Sequence, residues 1–323
     1  MKFVYVLASS DDDFYVEEAL LSMYTLKKHN INAEIILVSD SLTITSLNGK
    51  RALIKKFINE YVIINPPTEF SFLQKSRFIK TNLREYIKGT FLYIDNDTLI
   101  TGNLEEIENL TCEVGAVLNR HKENWKEFRY HPMMLDYKHA TGINPEEQNK
   151  FSAYYNGGII YSRDTPGAHK FFQTWHNLWL KSSVEFGFHK DQPDMWYANY
   201  LCDNVIMPIS GTYNFQAIYP EYCLKYLLNC KIFHYFSSAP IGDYIRLKDK
   251  EFKSYVKENG IDEYVQEYLD NFVAEYISGL KILVDKDLEL FNSPMSVFGR
   301  KMSKRFPSSN KIIERLFGKR VKD

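Results

Sequence analysis

Four cysteines in 323 residues, Cys112, Cys202, Cys223 and Cys230, show no short paired spacing, so neither a zinc site nor a dense disulfide framework is expected. A reduced compartment is the simpler reading. No apolar run approaches the roughly 20 residues of a membrane-spanning helix. The apolar run at the amino terminus stops at Asp11-Asp12-Asp13, short of a signal-peptide core, so Phe3 to Leu7 reads as a first strand of a cytoplasmic protein. Neither a Gly-x-Gly-x-x-Gly turn nor a Walker-type phosphate loop occurs, which argues against a dinucleotide dehydrogenase and a P-loop nucleotide hydrolase. Charge of one sign is also lacking. Lys+Arg number 40 against 41 Asp+Glu, a formal charge of -1, so the totals imply no nucleic-acid partner.

What is present is apolar and aromatic. Hydrophobic residues make up 45% of the chain, enough for one large α/β domain with appendages or for two smaller domains. With 23 Tyr and 22 Phe, the aromatic content exceeds what a core alone would seem to need, and Tyr-lined surfaces can stack on sugar or base rings.

Strand, helix and strand follow one another at Lys2 to Ala8, Phe14 to His29 and Ala33 to Val38, the pattern of a right-handed βαβ unit in a parallel sheet. Glu60 to Ile64 adds a strand and Gln74 to Ile87 a helix. Then comes the stretch the rest is organised around, Phe91-Leu92-Tyr93-Ile94-Asp95-Asn96-Asp97-Thr98-Leu99-Ile100. Its apolar run suits a strand buried on both faces, and such strands place ligands beyond their carboxyl ends. Two acids there repel each other unless a cation lies between them, and Mg²⁺ or Mn²⁺ accepts carboxylate and phosphate oxygens together. An acidic strand-to-loop turn without a ligand is the plainer alternative. Val114 to Leu118 and Tyr154 to Tyr161 continue the strand pattern, separated by a long polar and aromatic insert from Asn119 to Ala153. Pro166 to Lys181 reads as a helix, Asp191-Gln192 opens another, and Lys231 to Phe236 reads as the last core strand.

The order of these pieces, over roughly Met1 to Pro240, resembles glycosyltransferase family 8, the glycogenin-like and lipopolysaccharide galactosyltransferase-like retaining enzymes. The resemblance implies an α/β protein of the GT-A fold, a mainly parallel central sheet flanked by helices, here with a helical carboxyl-terminal extension. It implies a metal, Mn²⁺ or Mg²⁺, on Asp95, Asp97 and His234. It places Ala8 and Ser9 near the base and ribose of a nucleotide sugar, with Tyr15 stacking on the base, unless Tyr15 is helix core. Arg77, with Lys80 as a competitor one helical turn on, would meet the donor phosphates, and Asn96 stands within the acidic motif. Asn156-Gly157 would contact the transferred sugar, and Asp191-Gln192 would lie beside the anomeric carbon, although a helix-capping Asp explains Asp191 as well. Tyr213-Asn214-Phe215 resembles a segment near the floor of the site. His234, a lone histidine on a strand, is otherwise a structural residue.

The implied activity is transfer of a hexose from a nucleotide diphosphate sugar, a UDP-sugar foremost, to a glycan or glycolipid acceptor. One departure stands out. The family follows the histidine with Gly and Lys-Pro-Trp, where the Lys touches phosphate, whereas Ser237-Ser238-Ala239-Pro240 follows here, leaving Lys248 or the long insert as substitutes. Two rival readings remain. Asp95 could be the nucleophile of a haloacid-dehalogenase-like phosphatase, with Asp97 as its general acid, or the chain could be a non-catalytic binding protein on the same fold.

The expected divisions are a catalytic domain over 1–245, a helical extension over 246–294 and a basic tail over 295–323. From Phe298 to Lys322 cations alternate with bulky apolar residues, and Ile312, Ile313, Leu316 and Phe317 fall on one helical side. Such a helix can lie on an anionic membrane surface, at the inner face of a bilayer, or dock its stripe on the domain.

Overall fold

Ten strands and eight principal helices make up the computed structural model, which describes residues 1–123, 128, 131–144, 153–217, 224–237, 245–279 and 293–305. The strands are β1 (Lys2–Leu7), β2 (Glu34–Ser39), β3 (Glu60–Ile63), β4 (Phe91–Ile94), β5 (Thr98–Ile100), β6 (Val114–Leu118), β7 (Tyr155–Ser162), β8 (Ile206–Pro208), β9 (Phe215–Gln216) and β10 (Ile232–His234). The helices are α1 (Tyr15–His29), α2 (Phe72–Thr81), α3 (Pro132–Thr141), α4 (Pro166–Glu185), α5 (Gln192–Leu201), α6 (Lys250–Asn259), α7 (Glu263–Gly279) and α8 (Pro294–Arg305). Two compact units divide the chain, Met1–Val273 and Ala274–Asp323.

Seven strands form the central sheet in the order β3-β2-β1-β4-β7-β6-β8. Pairing is parallel throughout except on either side of β7, which runs antiparallel to β4 and β6. Both β4 and β7 are buried along their whole length, as continuous apolar runs covered on both faces must be. The expected mixed α/β architecture with helices on the sheet, and further helices toward the carboxyl terminus, is therefore what the chain adopts.

The last core strand expected within Lys231 to Phe236 is β10, buried but in a separate three-stranded sheet of order β5-β10-β9. The buried strand expected to deliver two acids is β4, and Asp95-Asn96-Asp97 forms the bend that carries the chain on to β5 in the other sheet. One expectation is corrected. The helix expected from Gln74 to Ile87 breaks after Thr81, with a short helix Leu83–Tyr86 following Asn82.

Much of the aromatic content turns out to be core. Trp175, Trp179, Tyr5, Tyr137, Phe91, Phe171 and Phe172 are among the largest fully buried side chains. Phe91, Phe171, Phe172 and Trp175 belong to one cluster around β4 and α4, where a Phe→Ala truncation costs about 3–5 kcal/mol.

α8 is described only to Arg305, so the expected apolar stripe at Ile312, Ile313, Leu316 and Phe317 lies outside the described residues. No helix among the described residues is long and apolar enough to cross a membrane.

Candidate active site

Every element that ends at the carboxyl edge of β1 and β4 contributes to one cleft of about 690 Å³. Its position follows from the sheet. β4 pairs with β1 on one side and β7 on the other, so the residues just past Ile94 emerge beside Val6, Ala8 and Asn156 to Gly158. Asp95 N–H donates to the carbonyl of Gly158 at 2.8 Å, tying the bend to β7. Asn96 donates its amide to Val6 O at 2.9 Å and so anchors the bend to β1.

The second sheet supplies His234. β5 and β10 run antiparallel with Thr98 opposite His234, which places the imidazole one residue from Asp97. His234 Nε2 lies 3.2 Å from Asp97 Oδ1. One ligand atom each from Asp95, Asp97 and His234 falls within 4.8 Å of the others. Gly158 keeps the space open, since a side chain there would occupy the gap between His234 and Asp95. Two carboxylates and an imidazole form an oxygen-rich set that suits Mn²⁺ and accommodates Mg²⁺, so the residues present fit a divalent cation.

The bend is braced from below. Thr98 Oγ1 donates to Asp95 O at 2.8 Å and lies 2.9 Å from Ser22 Oγ, which in turn lies 3.0 Å from Tyr5 OH. Asp97 Oδ2 accepts the backbone N–H of Ser237 at 2.9 Å. Burial pushes the Asp97 carboxyl up, but His234 and the Ser237 N–H outweigh it and hold it below the usual carboxylate range.

Across the cleft stands an ion cluster. α2 starts at a capping box in which Ser71 accepts from Gln74 N–H at 3.3 Å and Gln74 Oε1 accepts from Ser71 N–H at 3.1 Å. With the helix fixed there, Arg77 and Lys80 share a face at the three-residue spacing. Arg77 Nε lies 3.2 Å from Asp191 Oδ1, and Lys80 Nζ lies 3.3 Å from Asp191 Oδ2 and 3.4 Å from Asp95 Oδ1. Arg77 and Lys80 are thus not alternatives, because the cleft holds both. Burial raises the Asp191 carboxyl, yet Lys80 and Arg77 together pull it down to about 2. Its side chain makes no cap hydrogen bond at the start of α5, so capping does not account for it. Tyr93 OH donates to Asp95, and Lys80 Nζ sits 5.0 Å above the Tyr93 ring.

Ala8, Tyr15, Arg77, Asn96, Asn156, Gly157, Asp191 and Gln192 also line this cleft with the three metal-ligand candidates. Tyr15 is 39% exposed, so it is not helix core. Ser9 does not line the cleft. Its hydroxyl donates to Asp13, and its backbone N–H donates to Thr43 Oγ1 at 3.0 Å.

Other residues there escaped the sequence reading. Lys253 on α6 reaches in from the carboxyl-terminal part of the chain, 3.0 Å from Glu18 Oε1 and 2.6 Å from Ser237 Oγ. Glu18 is pushed up to about 7 by burial and by Asp97, against the pull of Lys253. Lys248, the expected substitute for the missing family lysine, does not line the cleft. The only sequence signal for Lys253 was its place beside the apolar pair Phe252 and Val256, four residues apart on a charged helix.

No protein-family model and no curated protein matches this sequence. Solved structures do match. The bifunctional glycosyltransferase WbbM aligns over 84% of this chain and 51% of its own, at 15% identity and a TM-score of 0.54. The fold is that of the GT-A glycosyltransferases. This chain spans about half the length of WbbM. The galactosyltransferase LgtC, solved with donor and acceptor sugar analogues, aligns over 88% of this chain and 98% of its own, at 14% identity and a TM-score of 0.49. Mouse xyloside xylosyltransferase 1 aligns over 75% and 99%, at 10% identity and a TM-score of 0.47. At such identities the likeness is one of fold, and what this GT-A chain does must be argued from its own cleft.

Proposed function

We propose that the protein is a retaining glycosyltransferase that moves a hexose from a nucleotide diphosphate sugar, a UDP-sugar foremost, to a glycan or glycolipid acceptor. The observation that carries this reading is the meeting, in one cleft of a GT-A fold, of Asp95, Asp97 and His234 with the Arg77-Lys80-Asp191 cluster. Asp95, Asp97 and His234 would hold Mn²⁺ or Mg²⁺, which when bound supplies positive charge against the leaving diphosphate. Tyr15 offers its exposed ring to the base, with Ala8 beside it. Gly157, lacking a side chain, lets the donor sugar approach β7 beside Lys80, and Gln192 orients it from the start of α5. Asp191, held ionised at neutral pH by Lys80 and Arg77, steadies positive charge at the anomeric carbon from the back face. The acceptor hydroxyl passes its proton to the departing phosphate oxygen, so no strong general base is required. As a phosphatase nucleophile Asp95 has less support, since Lys80 and Tyr93 already engage its carboxylate. The basic carboxyl-terminal tail suits an acceptor carried on lipid.

The direct test is a screen of nucleotide sugars with and without Mn²⁺, reading thermal stabilisation and nucleotide release. Stabilisation by one of them, followed by metal-dependent release, is expected. If none stabilises the protein with or without metal, the transferase reading falls, and phosphate release from simple monoesters would favour the phosphatase.

Lys253 gives a second expected result. It lines the cleft and donates to Ser237, the first residue of the segment that lacks the family's lysine, next to the acidic bend, and from there it meets the diphosphate. Lys253→Met alone leaves buried Glu18 without its partner, so the charge is removed as the pair Glu18→Gln/Lys253→Met. Loss of one charge-assisted contact predicts about 10- to 100-fold weaker UDP binding in Mn²⁺. Lys248→Met should bind UDP as the wild type does, and equal affinity in all three proteins would exclude the role.

A further inference from the structure

A chain of hydrogen bonds behind the metal-ligand candidates starts from a group with only one possible role. The backbone N–H of Gly158 can only donate, and it donates to a side-chain atom of Asn156 at 2.9 Å, so that atom is the amide oxygen. The atom of Asn214 that lies 2.8 Å from this same oxygen must then be an amide nitrogen. That orientation leaves Asn214 Oδ1 facing His234 Nδ1 at 3.2 Å. An amide oxygen can only accept, so Nδ1 carries a hydrogen. An imidazole that ligates a metal is neutral and has one N–H, so in that form the lone pair is on Nε2, the nitrogen that faces Asp97 Oδ1 at 3.2 Å.

We propose that Asn156 and Asn214 are positioning residues that fix the tautomer of His234 and thereby present Nε2 to the cation. The inference rests on the metal-centre reading above. Both amides are buried, Asn214 completely. Asn156 Oδ1 already takes two hydrogen bonds, and its Nδ2 points to Asn119 Oδ1 at 3.4 Å, so its acceptor side is engaged by the protein. Asn156, to which the family resemblance gives a contact with the transferred sugar, thus acts through His234. The ring is also held from its face. Phe236 stacks on it with centroids 3.8 Å apart and planes 6° apart. To do so Phe236 adopts a φ of 53°, a left-handed conformation that a bulky residue rarely enters. With rotation blocked by the stack and Nδ1 engaged by Asn214, Nε2 and the Asp97 carboxylate face the same point, where a divalent cation would take both as ligands.

The test uses the full chain and Mn²⁺ alone, with free Mn²⁺ read by electron paramagnetic resonance. Asn214→Leu, which removes the acceptor at Nδ1, should weaken Mn²⁺ affinity about 10- to 100-fold, the range for a lost partner of a ligating histidine. Asn156→Asp keeps the oxygen that receives Gly158 and Asn214 but loses the amide donor, so its Mn²⁺ affinity should be at least that of the wild type. In the Mg²⁺-saturated wild type, nitrogen-proton correlation spectra of the imidazole should place the His234 proton on Nδ1, a readout independent of whether either variant folds. Wild-type affinity in Asn214→Leu, loss of affinity in Asn156→Asp, or a proton on Nε2 would overturn the proposal while leaving the metal centre standing. Failure of the wild type to bind Mn²⁺ would remove both.

Discussion

Asp97→Ala should leave a folded protein whose metal-dependent turnover is lower by about 10³-fold or more. The size follows from what the carboxylate does. Deleting one group that opposes developing charge in a water-poor site costs about 10²–10³-fold by itself, and here the deletion also removes one of the three ligand groups found for the cation among the described residues. The fold should survive because Asp97 is joined to the rest of the bend mainly through main-chain bonds. Its carbonyl accepts Tyr235 N–H at 3.1 Å, and β5 begins at the next residue. Removing the carboxylate also relieves Glu18, whose carboxyl is raised by burial and then by Asp97. The loss of a carboxylate that His234 and the Ser237 N–H hold below its usual range works the other way, so the metal-free variant is expected to melt close to or a little below the wild-type temperature. The wild type, by contrast, should gain about 2.7 kcal/mol of stability in Mn²⁺ at a hundred times its dissociation constant, and the variant none. Melting curves with and without Mn²⁺, beside a turnover assay, check both parts. Undiminished turnover would remove Asp97 from the metal centre.

The acidic bend was legible in the sequence because its signals are local. An apolar run that breaks into Asp95-Asn96-Asp97 needs a buried strand and an exit, and β4 and the bend provide both. The Asp191 carboxylate was legible as a residue but not as a partner, since nothing local says that α2 will turn Arg77 and Lys80 toward the start of α5. His234 marks the limit more sharply. Its strand was expected as the last core strand without a partner, and only the long-range pairing of β10 with β5 puts the imidazole next to Asp97. Periodicity identifies a strand, but it carries no information on which sheet the strand joins. Lys253 was illegible for a different reason. On a helix with Lys250, Glu251, Lys257 and Glu258, one more lysine reads as solvated surface, and its burial depends on Glu18, which is distant in sequence.

Gly158→Ala should be more damaging than any loss of a single ligand, because it meets two of the three at once. A methyl group at this position would lie 2.5 Å from His234 Cε1, 2.8 Å from His234 Nδ1 and 2.9 Å from Asp95 Oδ2. None of these neighbours can yield cheaply. His234 is pinned by the Phe236 stack on its face and by Asn214 at Nδ1. Asp95 is engaged by Lys80 and Tyr93, and the backbone that would have to retreat is β7, buried throughout its length and paired on both sides. Forcing extra volume into such a place typically costs about 1–3 kcal/mol of stability. If the imidazole moves instead, Nε2 leaves Asp97 and Nδ1 loses Asn214, so the ligand set and its orientation fail together. Turnover is expected to drop below detection and the Mn²⁺-dependent rise in melting temperature to vanish, with the metal-free melting temperature lowered. Gly157→Ala is the matched control, since a methyl group there meets Lys80 Nζ at 3.5 Å and Met195 Sδ at 3.6 Å, ordinary contact distances. That variant should retain Mn²⁺ binding, its penalty confined to the donor. Equal Mn²⁺ affinity in Gly158→Ala and wild type would mean that the imidazole and the Asp95 carboxylate do not meet across Gly158 in solution.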